Sequence, residues 1–380
     1  MRSETLLAVP ATAGSLLPAL AAALDRTGPA VLPLPLEPAQ MLAACRPDEP
    51  LEHDDVALVV PTSGSTGEPK GVLLTAANLR ASAAATERRL GGPGQWLLAI
   101  PPTHIGGLQV LVRSLLADTV PEILQPGPFR ADAFSAQTER LSGSRRYVSL
   151  VPTQLLRLLS AGACDALASY DAVLLGGAAA PASLLAAARR AGVSVVTTYG
   201  SSETSGGCVY DGVPLDGVEV SVEGGRIRVA GAVVAPGYRL RPDLTAQCFG
   251  DGAFTTSDLG QLTGDGRLQV LGRADDVIIT GGEKVPPAAV EARLAQHPAV
   301  AEVAVVGVPD LEWGQRVVAF AVLREPLSLE QAREHVASRL PRAFAPRELR
   351  TVASLPLLPS GKIDRAALHP RVAASEQEGT

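Results

Sequence analysis

Pro61-Thr62-Ser63-Gly64-Ser65-Thr66-Gly67-Glu68-Pro69-Lys70-Gly71-Val72 places four hydroxyls, three glycines and one lysine within twelve residues. The run before it, Val56-Ala57-Leu58-Val59-Val60, is short, apolar and β-branched, which predicts a strand. The run after it, Leu73 to Leu79, predicts the start of a helix. A strand, a donor-rich glycine loop and a helix make a phosphate-handling arrangement. Glycines let backbone N–H groups approach phosphate oxygens, hydroxyls donate further hydrogen bonds, and a lysine adds charge. The Walker loop G-x-x-x-x-G-K-[ST] does not fit. Pro69 stands where glycine should precede the lysine, and Gly71 stands where Ser or Thr should follow it. A solvated Ser/Gly linker would have no need of apolar flanks.

With 380 residues the chain is long enough for two or three domains. Only 3% of residues are aromatic against 46% hydrophobic, so the core must be built from Leu, Val and Ala. The net charge of −6, with no basic run, points away from nucleic acid. Cys45, Cys164, Cys208 and Cys248 form no C-x-x-C pair, and the histidines are scattered. Neither a disulfide framework nor a zinc site is expected, and a reducing cytoplasm is the simplest setting. The uncharged stretch Leu6 to Leu24 is interrupted by Pro10, Gly14, Ser15 and Pro18. It predicts a strand over Thr5–Val9 and an amphipathic helix ending near Arg26-Thr27-Gly28 rather than a membrane span.

Downstream, strands alternate with helices. Strands are expected at Trp96–Ile100, Tyr147–Val151, Ala172–Leu175 and Val193–Thr198, with a helix after His104 and another capped by Thr153. That alternation implies a mainly parallel sheet with ligands beyond the carboxyl ends of its strands. From Val218 the texture turns to β-hairpins, with turns at Gly224-Gly225 and Asp265-Gly266. Beyond Gly272-Arg273-Ala274-Asp275-Asp276 lies a compact α+β pattern.

Several short motifs stand at these strand ends. In Tyr199-Gly200-Ser201-Ser202-Glu203-Thr204, Glu203 suits an oxygen ligand for Mg²⁺, although a serine-capped turn reads equally well. Asp258 in Thr256-Ser257-Asp258-Leu259-Gly260 reads by itself as a turn former. Arg273 and Asp275 read by themselves as a surface pair, Gly281-Gly282 as a hairpin turn, and Lys362 in Pro359-Ser360-Gly361-Lys362 as a solvated lysine. No G-x-S-x-G elbow occurs at these motifs, which argues against a serine hydrolase.

Together and in this order, the motifs from 56 to 365 resemble the adenylate-forming superfamily of acyl-CoA synthetases, luciferases and peptide-synthetase adenylation domains. The resemblance implies an α/β fold with a large N-terminal domain, 1–274, holding parallel α/β sheets and a β-rich subdomain at 218–272. A small, mobile α+β C-terminal domain at 275–372 and a disordered tail at 373–380 follow. It further implies that Thr62, Ser63, Gly64, Ser65, Thr66, Gly67 and Lys70 hold the phosphates of ATP. Tyr199 would lie against adenine, with Gly177 and Ala178 as the other wall and Gly200 and Ser202 beside it. Asp258 would bind the ribose, Arg273 the ribose or phosphate, and Glu203 Mg²⁺. Asp275 would be a hinge, Lys362 the adenylation lysine, and Gly281 and Gly282 would lie near coenzyme A.

Amino-acid-activating relatives carry an acid after the Pro101–Gly107 region, but no Asp or Glu occurs from Ala99 to Ala117. His104 stands there instead, readable as an acyl-site gate or as a capped helix start. Arg113 is a candidate partner for a substrate carboxylate. His104-Ile105-Gly106-Gly107-Leu108 and Ser149-Leu150-Val151-Pro152-Thr153-Gln154-Leu155 resemble the o-succinylbenzoate–CoA ligases of menaquinone biosynthesis. The resemblance implies a cytoplasmic ligase using ATP, Mg²⁺ and coenzyme A on a small carboxylic acid, with no nucleic-acid or membrane partner and a homodimer left open. Lys362, Lys70, Glu203 and His104 would be its catalytic set. The alternatives are another aryl- or fatty-acid CoA ligase, a non-catalytic nucleotide-binding relative, and a P-loop kinase.

Overall fold

The computed structural model describes residues 5–63, 69–358 and 363–368, and these form two compact units. The first comprises residues up to 178 together with 187–256 and 262–268; the second comprises 179–186, 257–261 and the residues from 269 onward.

The first unit begins with β1 (Leu6–Pro10), α1 (Ala13–Leu24), β2 (Ala30–Leu34), α2 (Ala39–Cys45), β3 (Val56–Ser63) and β4 (Pro69–Thr75). Thr12 caps α1 by accepting from the Ser15 backbone N–H. Leu16, Leu20, Ala23 and Leu24 then fall on one buried face, the spacing an amphipathic helix requires. Strands β1, β2 and β3 are parallel, and β4 returns antiparallel on β3 with Val59 opposite Leu73. This corrects the sequence expectation of a helix at Leu73. Val72, Leu73 and Leu74 are buried as a strand, because tertiary pairing overrides the helical propensity of a Leu-rich run. Thr75 and Asn78 exchange reciprocal hydrogen bonds at 3.0 Å, so α3 (Ala76–Leu90) starts only after that capping box. The glycine-rich stretch therefore joins two antiparallel strands.

The second sheet follows from β5 (Gln95–Leu98), α4 (Ile105–Leu116), β6 (Glu122–Ile123), α5 (Ala131–Thr138), β7 (Arg146–Leu150), α6 (Pro152–Ser160), α7 (Cys164–Ala168), β8 (Ala172–Leu175), α8 (Ala182–Arg190) and β9 (Val195–Ser201). Strands β6, β5, β7, β8 and β9 are parallel neighbours, while β10 (Gly206–Tyr210) and β11 (Val213–Pro214) extend the sheet antiparallel. Leu97, Val148, Val173 and Leu175 are buried along its strands, as parallel sheets covered on both faces require. Helix α6 is capped by Gln154, whose Oε1 accepts the Val151 N–H at 3.0 Å, not by Thr153, which lies inside the first turn.

Strands β12 (Val218–Glu223) and β13 (Arg226–Gly231) form the hairpin expected at Gly224-Gly225, where both glycines have positive φ, 57° and 83°. The two-residue strand β14 (Gly237–Tyr238) then pairs back onto β4, setting Tyr238 opposite Val72. Helix α9 (Pro242–Cys248), β15 (Phe249–Gly250), β16 (Ala253–Leu262) and β17 (Leu268–Arg273) follow, with β17 on β16. Asp258 lies inside β16 rather than at a strand-to-turn junction.

In the second unit, β18 (Ile278–Thr280) and β19 (Glu283–Val285) precede α10 (Pro287–Leu294). Strands β20 (Val300–Asp310) and β21 (Gly314–Leu323) make a long antiparallel pair, with α11 (Leu329–Ala337) packed near it and β22 (Glu348–Thr351) parallel to β21. Ile278, Val290, Leu294, Val305, Val317 and Val336 fill this core. Leu357 and Ile363 form an antiparallel bridge, and Arg365 grips both carboxylate oxygens of Glu291 on α10 at 2.7 and 2.9 Å. No helix among the described residues is long and apolar enough to cross a membrane.

Candidate active site

In the first unit, β4 sets Lys70 opposite Thr62, whose Oγ1 donates to the Lys70 carbonyl at 3.4 Å. Lys70 Nζ lies 3.0 Å from Glu203 Oε1, and the Tyr238 hydroxyl donates to the same oxygen at 2.9 Å. The ammonium also stands 3.9 Å from the centroid of the Tyr238 ring. One oxygen therefore carries two donors, and the cation rests on the face of the ring that supplies the second. Burial pushes the Glu203 carboxyl up, but the charge and hydrogen bond of Lys70, its own backbone and the Tyr238 hydroxyl together hold it below the usual carboxylate range. Burial and the neighbouring carboxylate push the Tyr238 phenol well up, so it stays a hydrogen-bond donor.

The turn that carries Glu203 is rigidly held. Residues Ser202–Thr204 form a single 3₁₀ turn, and Ser205 follows with φ 54° in the left-handed region. The Ser205 carbonyl accepts from Ser82 Oγ at 3.0 Å and Gln109 Nε2 at 2.7 Å. The Ser205 hydroxyl donates to the Val233 carbonyl, and the Ala235 N–H donates to the Glu203 carbonyl, both at 2.8 Å. Gly200 is obligatory: a Cβ there would sit 2.1 Å from the Gly206 carbonyl oxygen. A hard oxygen donor fixed in this way fits Mg²⁺. Among the described residues no group of three His, Cys, Asp or Glu could hold a metal without help, and Mg²⁺ characteristically takes one or two carboxylates with phosphate and water.

Strand β8 ends at Leu175, opposite Thr197, and β9 runs on beyond it to Ser201. Gly176, Gly177 and Ala178 follow β8, Tyr199 and Gly200 lie among the last residues of β9 and Ser202 follows it, so these residues gather at the carboxyl edge of the parallel sheet. Gly177 has φ 80°, and a Cβ on Gly176 would meet Thr198 Oγ1 at 2.2 Å. His104 occupies the N-cap position of α4, where its carbonyl accepts the Gly107 and Leu108 N–H groups at 3.0 Å but its side chain makes no capping bond. Arg113 is 3% exposed, donates to Thr86 Oγ1 at 3.1 Å and lies 5.0 Å from the Trp96 ring. It is a core residue, not one placed to meet a substrate.

In the second unit, Arg273 gathers Ser257 Oγ at 2.6 Å, Asp275 at 3.1 Å and Asp258 at 3.6 Å. Gly281 and Gly282 form the turn between β18 and β19, and the Gly281 N–H donates to the Trp313 carbonyl at 2.9 Å. The Arg347 guanidinium stands 3.5 Å over the Trp313 ring. Gly64, Ser65, Thr66, Gly67 and Lys362 lie outside the described residues, as does the tail from 373; for Ser63 only the backbone pairing with Pro69 is described.

Sequence reasoning missed Tyr238, Gln109 and Ser205. Tyr238 sits in a strand too short to show a period, and its one available signal is the Gly-Tyr pair in a chain poor in aromatics. Gln109 and Ser205 act by hydrogen bonds to backbone carbonyls far away in sequence, which residue type does not reveal.

Residues 10–239 match the AMP-binding enzyme family, and residues 289–362 match the AMP-binding enzyme C-terminal domain. The chain is 52% identical over 373 residues to a probable 2-succinylbenzoate–CoA ligase of Mycobacterium tuberculosis (strain ATCC 25618 / H37Rv), covering 96% of each. It is 35% identical to the 2-succinylbenzoate–CoA ligase of Bacillus licheniformis, over 86% of this chain and 73% of that one. Among solved structures, the o-succinylbenzoate CoA synthetase of Bacillus subtilis in complex with its acyl-adenylate intermediate superposes with a TM-score of 0.80 at 27% identity, covering 97% of this chain and 88% of that one.

Proposed function

This chain belongs to the AMP-binding enzyme family, and from that premise we propose that it is an ATP-dependent carboxylate–coenzyme A ligase whose acid is 2-succinylbenzoate. The observation that carries the reading is the 52% identity, over 96% of the chain, to the probable 2-succinylbenzoate–CoA ligase of Mycobacterium tuberculosis. In the first step a carboxylate oxygen of the acid attacks the α-phosphorus of ATP. The acyl–phosphate bond forms as the bond to pyrophosphate breaks. In the second step the coenzyme A thiolate attacks the acyl carbon and AMP leaves with the bonding pair. Two displacements through an activated ester replace one difficult acylation.

Each residue has a role in that sequence. The glycines and hydroxyls from Thr62 to Gly67 cradle the phosphates, and Lys70 balances their charge. Glu203, aimed by Gln109 and Ser205 through the turn, holds the Lys70 ammonium in place and is the ligand for Mg²⁺, which when bound offsets charge on the phosphates. Tyr199, Gly200, Ser202, Gly177 and Ala178 take the adenine, Asp258 and Arg273 take the ribose, and His104 borders the acid. Asp275 is the hinge between a domain of 1–274 and one of 275–372, and Lys362 is the cation that stabilises the adenylation step. Gly281 and Gly282 face coenzyme A in the second step. The setting is the cytoplasm, where ATP and coenzyme A are at hand. ATP–pyrophosphate exchange with a panel of acids tests the reading: exchange that depends on 2-succinylbenzoate supports it, and exchange with benzoates or medium-chain acids alone overturns the choice of acid.

A further inference from the structure

An open cavity of about 540 Å³ lies against β4 in the first unit, between the end of α2 and the segment after β14. Among the described residues, Gln40, Arg46, Lys70, Arg239 and Arg241 line it, and no carboxylate does. The cations divide into two kinds. Arg239 is 1% exposed and spends all five donors on the protein: the carbonyls of Cys45, Arg46, Glu49 and Pro50, and the Glu52 carboxylate at 2.9 Å. It therefore builds the wall and has no donor left for a ligand. It holds the end of α2, where Arg46 stands, against the backbone of Leu240, which is left-handed at φ 54° and donates to Glu52 at 2.6 Å. Arg46 and Arg241 keep partly exposed side chains, 54% and 39%, and Glu49 and Asp243, which neighbour them, do not line the cavity. The hollow thus presents cations on a braced frame, a concavity that focuses positive potential.

Lys70 decides what fits there. It lines this cavity, and it is also the lysine paired with Glu203 beside the phosphate loop. We propose that the cavity binds inorganic pyrophosphate, the leaving group of the first half-reaction, which passes from the reaction centre along Lys70 to Arg241 and Arg46. This rests on the adenylation reading above. Pyrophosphate is a compact polyanion rich in acceptors, which matches guanidinium forks on two sides and the Gln40 amide.

The test uses calorimetric titration of the full chain with inorganic pyrophosphate. The double variant Arg46→Gln/Arg241→Gln is expected to bind it about tenfold more weakly, while ATP binding changes by less than about twofold. A control pair of exposed arginines, Arg190→Gln/Arg226→Gln, should leave pyrophosphate binding as in the wild type. No measurable wild-type binding, equal binding by the Arg46/Arg241 variant, or an equal loss in the control pair would each overturn the site. Thermal melting of each variant shows whether a loss reflects unfolding. The outcomes separate from the adenylation reading: tight, Arg241-dependent pyrophosphate binding without any ATP–pyrophosphate exchange keeps the site and removes the reading.

Discussion

Tyr238 and Lys70 meet on a single carboxylate oxygen. The phenol donates to Glu203 Oε1 at 2.9 Å, the ammonium approaches it at 3.0 Å, and the ammonium sits 3.9 Å from the centre of the phenol's own ring. Three residues from β14, β4 and the turn after β9 are locked into one geometry by this contact. The sheet pairing that sets Tyr238 opposite Val72 is what allows it.

Removing the parts of that contact separately should give graded effects. Tyr238→Phe keeps the ring and loses a hydrogen bond to a charged group, so stability should fall by about 2 kcal/mol. Tyr238→Leu also loses the ring face under the ammonium and should fall by about 1 kcal/mol more. Urea midpoints measure both, and the KM for ATP should rise in the same order. Identical midpoints for the two variants would show that the ring face contributes nothing.

A methyl group at Gly176 has no room, since its Cβ would meet Thr198 Oγ1 at 2.2 Å. Gly176→Ala should cost about 1–3 kcal/mol through overpacking and weaken ATP binding at the carboxyl edge of β8 and β9. Thr198→Ala removes the obstructing oxygen, so the double variant should be less destabilised than the sum of the two single changes. Strict additivity in thermal melts would rule out the clash as the cause.

The second unit should carry a pH signature at His335. Burial lowers its pKa, and the charges of Arg293 and His297 lower it further, against the raising effect of its hydrogen bond to the Arg293 carbonyl at 3.0 Å. A depressed folded pKa means that the unfolded chain binds the proton first. The His335 contribution is therefore complete above the ordinary histidine value of about 6.5 and is lost as pH falls from there through the lower folded value. His335→Gln should flatten that part of the stability–pH curve. An unchanged slope between wild type and variant would contradict the assignment.

Lys362→Ala should divide the two half-reactions. Loss of a positioned charge at the α-phosphate should slow acyl-AMP formation by about 100-fold or more. Thioester formation from supplied acyl-AMP should remain largely intact. Rapid-quench measurement of both steps decides, and an equal loss in each would remove the role given to this lysine.

Much of this architecture was legible in the residue pattern, for reasons tied to particular elements. The alternation of buried strands with helices follows from local periodicity, and the hairpin at Gly224-Gly225 follows from turn chemistry. Leu73 to Thr75 reads as the start of a helix because Leu-Leu-Thr-Ala-Ala satisfies helical propensity, and only pairing with β3 and β14 makes these residues the end of the strand that begins at Pro69. The cap on α3 was visible in Thr75-x-x-Asn78 and was overlooked. Lys70 and Glu203 were each legible as charged groups near strand ends, but their contact spans 133 positions and depends on the fold. Tyr238 and Arg239 sit in and beside a two-residue strand, where no period can build up, and their roles exist only once β14 has paired with β4.

The most direct test of the central claim is to incubate the chain with ATP, Mg²⁺, coenzyme A and 2-succinylbenzoate and to identify the nucleotide and the acyl product together. AMP and 2-succinylbenzoyl-CoA formed in equal amounts, with pyrophosphate, is the outcome the account predicts. Release of ADP, or no acid-dependent product, would contradict it.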